Sequence, residues 1–261
     1  MQVADLNRRV YERPGVARYY AAQDGLHAAE VAILQRYAGD IRGGSVLDLG
    51  VGGGRTTPHL ASLARRYVGV DFSAAMVAAC GRRFSQHEFR QADVRDLSEF
   101  PPQSFDFVLF SFSGIDALDD AGRSQALREI ARILKPGGVL AFSSHNLRHA
   151  GQARFFREIF RVPVTVHPGR ILRSLFRVSV RLCNYCAGLL HNRREARYAL
   201  LHDPGSDFAA PHYYVDIPEQ RRQLARAGFT GPTQIFDESG NEVGPRGNDC
   251  SATLHYVTRK P

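Results

Sequence analysis

The sequence predicts an α/β fold: a doubly wound, mostly parallel sheet interrupted by a helical insertion. Three observations carry this reading. Apolar strand-like runs alternate with helix-length segments from about residue 45, the rhythm of a parallel sheet with helices on both faces. The run VLDLGVGGGRTT (46–57) sets four glycines between a strand and a helix start. Residues 147–212 lose the strand rhythm while gathering most of the positive charge.

In order along the chain, residues 1–42 precede the first strand and read as a helical cap, clearest in GLHAAEVAILQRYAG. Residues 43–146 read as the core of the sheet. Its strands are SVLDL, YVGVD (67–71), FRQAD (89–93), FDFVLFSF (105–112) and GGVLAFSS (137–144), with helices over about 56–66, 74–84 and 120–134. The insertion, 147–212, follows. Residues 213–261 complete the sheet with a helix, IPEQRRQLARAGF (217–229), and two strands, PTQIFDE (232–238) and ATLHYVTR (252–259). Pro218 suits the first turn of that helix and Gly228 its end. The turn-rich ESGNEVGPRGNDCS makes the last two strands an antiparallel pair.

With 261 residues, 44% of them hydrophobic, the chain can bury one well-filled domain plus an insertion. Its opening, MQVADLNRRV, lacks the apolar h-region of a secretory signal. No apolar run reaches the 18 residues of a membrane span. Cys80, Cys183, Cys186 and Cys250 show no disulfide-framework spacing, which suits a reducing cytoplasm. The lone CxxC at 183–186 reads as a helix face, and no histidine cluster has metal-ligand spacing.

Four glycines behind a strand leave a bare backbone that another group can approach, and a helix N-terminus behind it suits a nucleotide-type cofactor. The dinucleotide fingerprint would need a third glycine at 55, where Arg55 stands, so NAD is not expected to bind. The spacing is instead Asp48, Gly50, Gly52, Gly54. Asp71, closing the second strand 23 residues after Asp48, can accept hydrogen bonds from ribose hydroxyls.

Together with this loop, three later runs resemble the class I S-adenosylmethionine-dependent methyltransferases: ADVRDL (92–97), SFDFVL (104–109) and LREIARILKPGG (127–138). The resemblance spans 43–146 and resumes weakly over 213–261. It implies a Rossmann-like sheet of seven strands, the last antiparallel, with S-adenosylmethionine as cofactor. Carried over by position, it puts Gly50, Gly52 and Gly54 around the methionine moiety, with Asp48 as supporting acid. It puts Asp71 on the ribose, Phe72 against the adenine, Asp93 and the Val94 amide at the adenine amino group, and Ser111 near the cofactor's amino end. Asp93 as a turn cap, Phe72 as core and Ser111 as a plain strand-end residue are the structural alternatives.

Methyl transfer from a sulfonium is an in-line displacement, aided chiefly by positioning and exclusion of water. A hydroxyl or an ammonium acceptor also needs a base, usually histidine. His145, closing the fifth strand, is the candidate base, with an orienting or structural role as its alternative. Tyr19, Tyr20, Asp116, Asn146, Tyr213 and Tyr214 are candidate substrate contacts; Asp116 also suits a helix cap, and the tyrosines suit core or lid. The fourth strand ends in FSFSGID (110–116), without the prolines of base-amine methyltransferases. That argues against nucleic acid and for a small metabolite or peptide methylated on nitrogen or oxygen. A lipid or nucleic-acid acceptor, or a non-catalytic interaction module, are the alternatives. The sequence sets no oligomeric state.

Residues 148–197 hold eleven arginines against Glu158 and Glu195, a net +9 within a chain of +8. RILRSLFRVSVRLCNYCAGLL (170–190) and ARFFREIFR (153–161) both have apolar residues at helix spacing beside arginine rows. The expectation is a lid over the acceptor pocket, its apolar face buried and its arginines solvated. Inward arginines holding an anionic substrate, or a helix lying peripherally on an anionic membrane, are the other readings.

Overall fold

The computed structural model describes residues 3–162, 167–244 and 251–261, with the backbone alone at 14, 17, 152–154 and 168. Cys250 and part of the final turn therefore lie outside the described residues. Four helices open the chain: α1 (Val3–Tyr11), α2 (Pro14–Ala21), α3 (Ala28–Arg36) and α4 (Ala38–Ile41). Alternation follows: β1 (Ser45–Leu49), α5 (Thr57–Ala61), β2 (Arg66–Asp71), α6 (Ala74–Arg83), β3 (Glu88–Gln91), β4 (Phe105–Phe110), α7 (Asp120–Ile133) and β5 (Leu134–Asn146). The insertion contributes α8 (Gln152–Ile159), α9 (Pro168–Leu189), β6 (Arg193–Arg194), β7 (Tyr198–His202) and β8 (Pro211–Val215). α10 (Ile217–Arg226), β9 (Gln234–Phe236) and β10 (Thr253–Arg259) close the chain.

Seven strands run in the order β3-β2-β1-β4-β5-β10-β9, with β10 antiparallel to both neighbours. β1 is buried along its whole length because helices cover both faces of the sheet. Alternate residues feed opposite layers. Leu47, Leu49, Val108 and Phe110 pack with Leu127 and Ile130 of α7, whereas Val46, Phe107 and Leu109 pack with Ile33, Leu34 and Ile41 of the N-terminal helices. Two helices start on side-chain caps: Asp119 accepts from Gly122 N at 2.9 Å, and Asp216 from Glu219 N at 2.8 Å.

The insertion departs from the expectation in two ways. It is not wholly helical: β8 pairs in parallel with β5 through His145 and Asn146, beyond the last β4 pairing, and carries β7 and β6 antiparallel beside it. Among the described residues the sheet thus has ten strands rather than seven. β7 and β8 are buried but short, and polar residues break their apolar pattern, so no strand period shows. Nor does α9 bury its apolar stripe, although α8 buries Phe155 and Ile159. The side of α9 facing the protein carries Val178, Arg181, Asn184 and Tyr185, while Leu172, Leu175, Phe176 and Leu190 face outward. Helical periodicity reveals a stripe but not its direction. Here direction is set by Arg181, which donates to Asp207 Oδ1 at 2.7 Å and to the Arg161 carbonyl at 2.9 Å. Among the described residues no helix is long and apolar enough to cross a membrane.

Candidate functional site

The cleft opens at the carboxyl ends of β1, β2 and β4, where open α/β sheets place their ligands. Gly50 and Gly52 turn the chain out of β1 at φ +62° and +55°, a left-handed region that costs glycine little. A side chain at Gly52 would project into space bounded by Tyr20, whose ring lies 3.8 Å from that position. The other two glycines answer to the protein itself. A Cβ on Gly53 would stand 2.3 Å from the Tyr20 carbonyl oxygen, and one on Gly54 would stand 2.5 Å from Phe84. Half of the glycine run therefore shapes the cleft, and half admits α2 and α6 against the loop.

Three carboxylates stand around this loop. Asp71 accepts from Gly52 N and Ser73 N, both at 2.9 Å, and burial pushes its pKa up to about 6. Asp48 lies deeper, accepting from Thr56 Oγ1 at 2.5 Å and Tyr67 OH at 2.9 Å; burial outweighs these bonds and also raises its pKa to about 6. Asp93 is opposed by burial, yet the Arg95 guanidinium and amide outweigh it and hold its carboxyl below the usual range. Phe72 meets the Tyr11 ring edge-on at 5.9 Å.

A fourth acid was not legible as a site residue. Glu30 of α3 takes a bidentate pair from Arg55 of the loop, at 2.5 and 2.6 Å, and a hydrogen bond from the Ser111 hydroxyl. Burial pushes its pKa up, but Arg55, Ser111 and the His27 amide together bring it down to about 2. Its one sequence signal is a charge on the apolar stripe it shares with Ile33, Leu34 and Tyr37.

The wall of the cleft is N-terminal. Arg8, Tyr11, Tyr20 and Gln23 of α1, α2 and the following turn line it opposite Asp71 and Asp93. Behind Tyr11 runs a buried polar line. The Tyr11 hydroxyl is 3.4 Å from His212 Nε2, His212 Nδ1 is 3.0 Å from Asp203 Oδ1, and Tyr214 OH donates to Asp203 Oδ2 at 2.8 Å. With the Nδ1 proton directed to the carboxylate, Nε2 is an acceptor and Tyr11 donates to it.

A family model described as a methyltransferase domain matches residues 46–138, the glycine loop through the end of α7 and its turn. A "probable S-adenosylmethionine-dependent methyltransferase" of Mycolicibacterium smegmatis is 34% identical over 114 residues, covering 44% of this chain and 43% of that one. Residues 46–138 carry a methyltransferase domain. A phosphatidylethanolamine N-methyltransferase of Cereibacter sphaeroides is 34% identical over 116 residues, 42% of this chain and 55% of that one. The chain spans about half the length of the curated relatives it matches. The fold is shared with 1,6-didemethyltoxoflavin-N1-methyltransferase of Burkholderia thailandensis, solved with S-adenosylhomocysteine. Its TM-score is 0.57 at 18% identity, covering 97% of this chain and 88% of that one.

S-adenosylmethionine is this family's cofactor, and the cleft suits it: a bare, curved backbone at Gly50 and Gly52, and beside it the Asp71 carboxylate. Of the residues assigned to it from sequence, Asp48, Gly50, Gly52, Asp71, Phe72, Asp93, Val94 and Ser111 line the cleft. Gly54 does not, because its bare side faces Phe84 and Cys80.

The substrate candidates fare differently. Tyr20 lines the cleft, while Tyr19, next to it on the helix, points to solvent. Asp116 is fully buried and holds Arg123, Ser144 Oγ (2.6 Å) and His145 N (2.7 Å). Tyr213 is fully buried and donates to Asp120 at 2.7 Å; Tyr214 is spent on Asp203. Asn146 caps the turn that follows β5, accepting from Arg148 N at 3.0 Å. These four are corrected from substrate contacts to internal supports, since strand-end position fixes a residue's height in the sheet but not the direction of its side chain.

His145 does not line the cleft either. Its Nδ1 lies 2.7 Å from Asp116 Oδ2 and its ring stacks on Tyr214 at 4.9 Å. Burial lowers its pKa, but Asp116 outweighs burial and the net shift is upward.

Proposed function

We propose that the domain transfers a methyl group from S-adenosylmethionine to a nitrogen or oxygen of a small molecule or peptide seated against Tyr11, Tyr20 and Phe112. The observation that carries this is the aromatic wall facing the glycine loop across one cleft, with a buried Asp203–His212 pair behind Tyr11. The cofactor supplies an electrophilic methyl on a sulfonium. Asp71 holds its hydroxyls, the Gly50–Gly52 turn admits it to the backbone, and α1 and α2 exclude water. A proton leaving a hydroxyl or ammonium acceptor passes through Tyr11 to His212 Nε2, which Asp203 keeps oriented. The relatives named for a phospholipid amine and a heteroaromatic nitrogen support nitrogen acceptors as one class. Incubating the protein and cofactor with candidate amines, acids and peptides, and reading a gain of one methyl by mass, tests the proposal. A full panel that leaves cofactor bound and no acceptor methylated would count against it.

Asp71→Asn is expected to weaken cofactor binding by about 1–3 kcal/mol, the cost of losing hydrogen bonds to a charged partner. The carboxyl's pKa of about 6 in the free protein sets a pH dependence. Ribose hydroxyls donate to the ionised form, so binding lowers that pKa and releases protons below about pH 6. Affinity should therefore fall as pH drops through 6 in the wild type and stay flat in Asp71→Asn, measured by calorimetry.

A further inference from the structure

We propose that the outward face of α8 and α9 is a docking surface for an anionic phospholipid bilayer. α9 runs 22 residues, about 33 Å, and its outer stripe is Leu172, Leu175, Phe176, Leu182, Leu189 and Leu190. Leu172 is 71% exposed, Phe176 69% and Leu190 87%, side chains a soluble monomer seldom leaves together in water. Phe156 and Phe160 of the α8 segment are a further exposed apolar pair; their rings meet at 5.3 Å, and Phe156 lies 6.2 Å from Tyr185 of α9. No described helix is apolar enough to span a bilayer, so α9 lies on it, apolar face down.

Charge selects the occupant. Arg173 borders the stripe beside Phe176, and Arg170 stands in the row that Arg173 begins toward Arg177; both are exposed, and neither side chain has an ion-pair or hydrogen-bond partner among the described residues. Arg177 is exposed beside them and is paired with Asp207. Glu158 is the only acid between residues 148 and 194. A second copy of this chain would oppose this positive face with the same positive face. Phosphate head groups complement the arginine border while acyl chains take the leucines, as an interfacial helix requires. A nucleic acid would satisfy the arginines but leave the stripe in water.

The test is sedimentation of the whole protein with vesicles of phosphatidylglycerol and phosphatidylcholine, or of phosphatidylcholine alone, at low and high salt. Wild type is expected to bind the anionic vesicles alone and to be released by salt. Arg170→Gln with Arg173→Gln should weaken binding roughly fivefold per arginine. Leu172→Ser, Leu175→Ser and Phe176→Ser together should weaken it at least about tenfold. These side chains are exposed, so unchanged cofactor affinity in both variants checks that the fold survives. Absence of wild-type binding to anionic vesicles overturns the proposal, as does binding that survives the serine variant. It is also overturned by a vesicle-free dimer that the serines dissociate, or by duplex DNA binding as tight and salt-sensitive as vesicle binding. No acceptor enters the assay, so its outcome is separate from that of the methyl-transfer proposal.

Discussion

Glu30→Ala is expected to destabilise the protein by about 3–5 kcal/mol, the cost of leaving one partner of a buried ion pair uncompensated. The Glu30 side chain is 2% exposed and Arg55 11%, so neither charge can recover its hydration by a small movement. Because Arg55 belongs to the glycine loop and Glu30 to α3, the same change frees the loop from the cap, and cofactor affinity should fall with stability. Replacing both residues by methionine should restore most of the stability, since a buried pair is worth little against apolar groups of like volume. Acid should act on the same bond. Glu30 is held at about 2 against an ordinary 4.5, so its contribution of about 3 kcal/mol is complete above pH 4.5 and is lost as pH falls toward 2. Urea denaturation at pH 7 and at pH 3 should therefore show the gap between wild type and Glu30→Ala shrinking by about 2 kcal/mol. An unchanged gap would mean the cap is held by apolar packing alone.

The cofactor half of the site was legible because it is local. A strand, a turn needing left-handed residues and a helix start lie within a dozen positions, and Asp71 and Asp93 sit at the ends of the next two strands. Composition and period carry that information in the chain itself. The acceptor half was not legible because it is assembled from distant segments. Tyr11 and Tyr20 come from the first twenty residues, Asp203 and His212 from the far end of the insertion, and nothing in their spacing joins them. His145 was a reasonable candidate at the end of β5, but only the fold reveals that Asp116 and Tyr214 hold it behind the wall. The direction of α9 failed for a related reason. A helical stripe of leucines is the same in sequence whether it faces a core or a bilayer, and the deciding contacts are those of Arg181 and Asn184 with the loop at Asp207.

Moving the base from His145 to His212 leads to the second large effect. His212→Asn is expected to lower turnover by about 10²–10⁴, the usual contribution of a positioned general base, with cofactor affinity unchanged. Tyr11→Phe should lose as much, because the hydroxyl is the link between the cleft and His212 Nε2. His145→Ala should lose less than about tenfold, an effect transmitted through the stacked Tyr214 ring. A purely structural role for His212 would lower rate and stability at every pH alike. A base instead acts on turnover alone, so His212→Asn should lose rate while keeping the wild-type urea midpoint. If His145→Ala loses the rate while His212→Asn keeps it, the proton leaves along the Asp116–His145 pair and the Tyr11 line is structural. If both variants keep most of the rate, the acceptor is a neutral amine that attacks unaided, and the aromatic wall acts by positioning it.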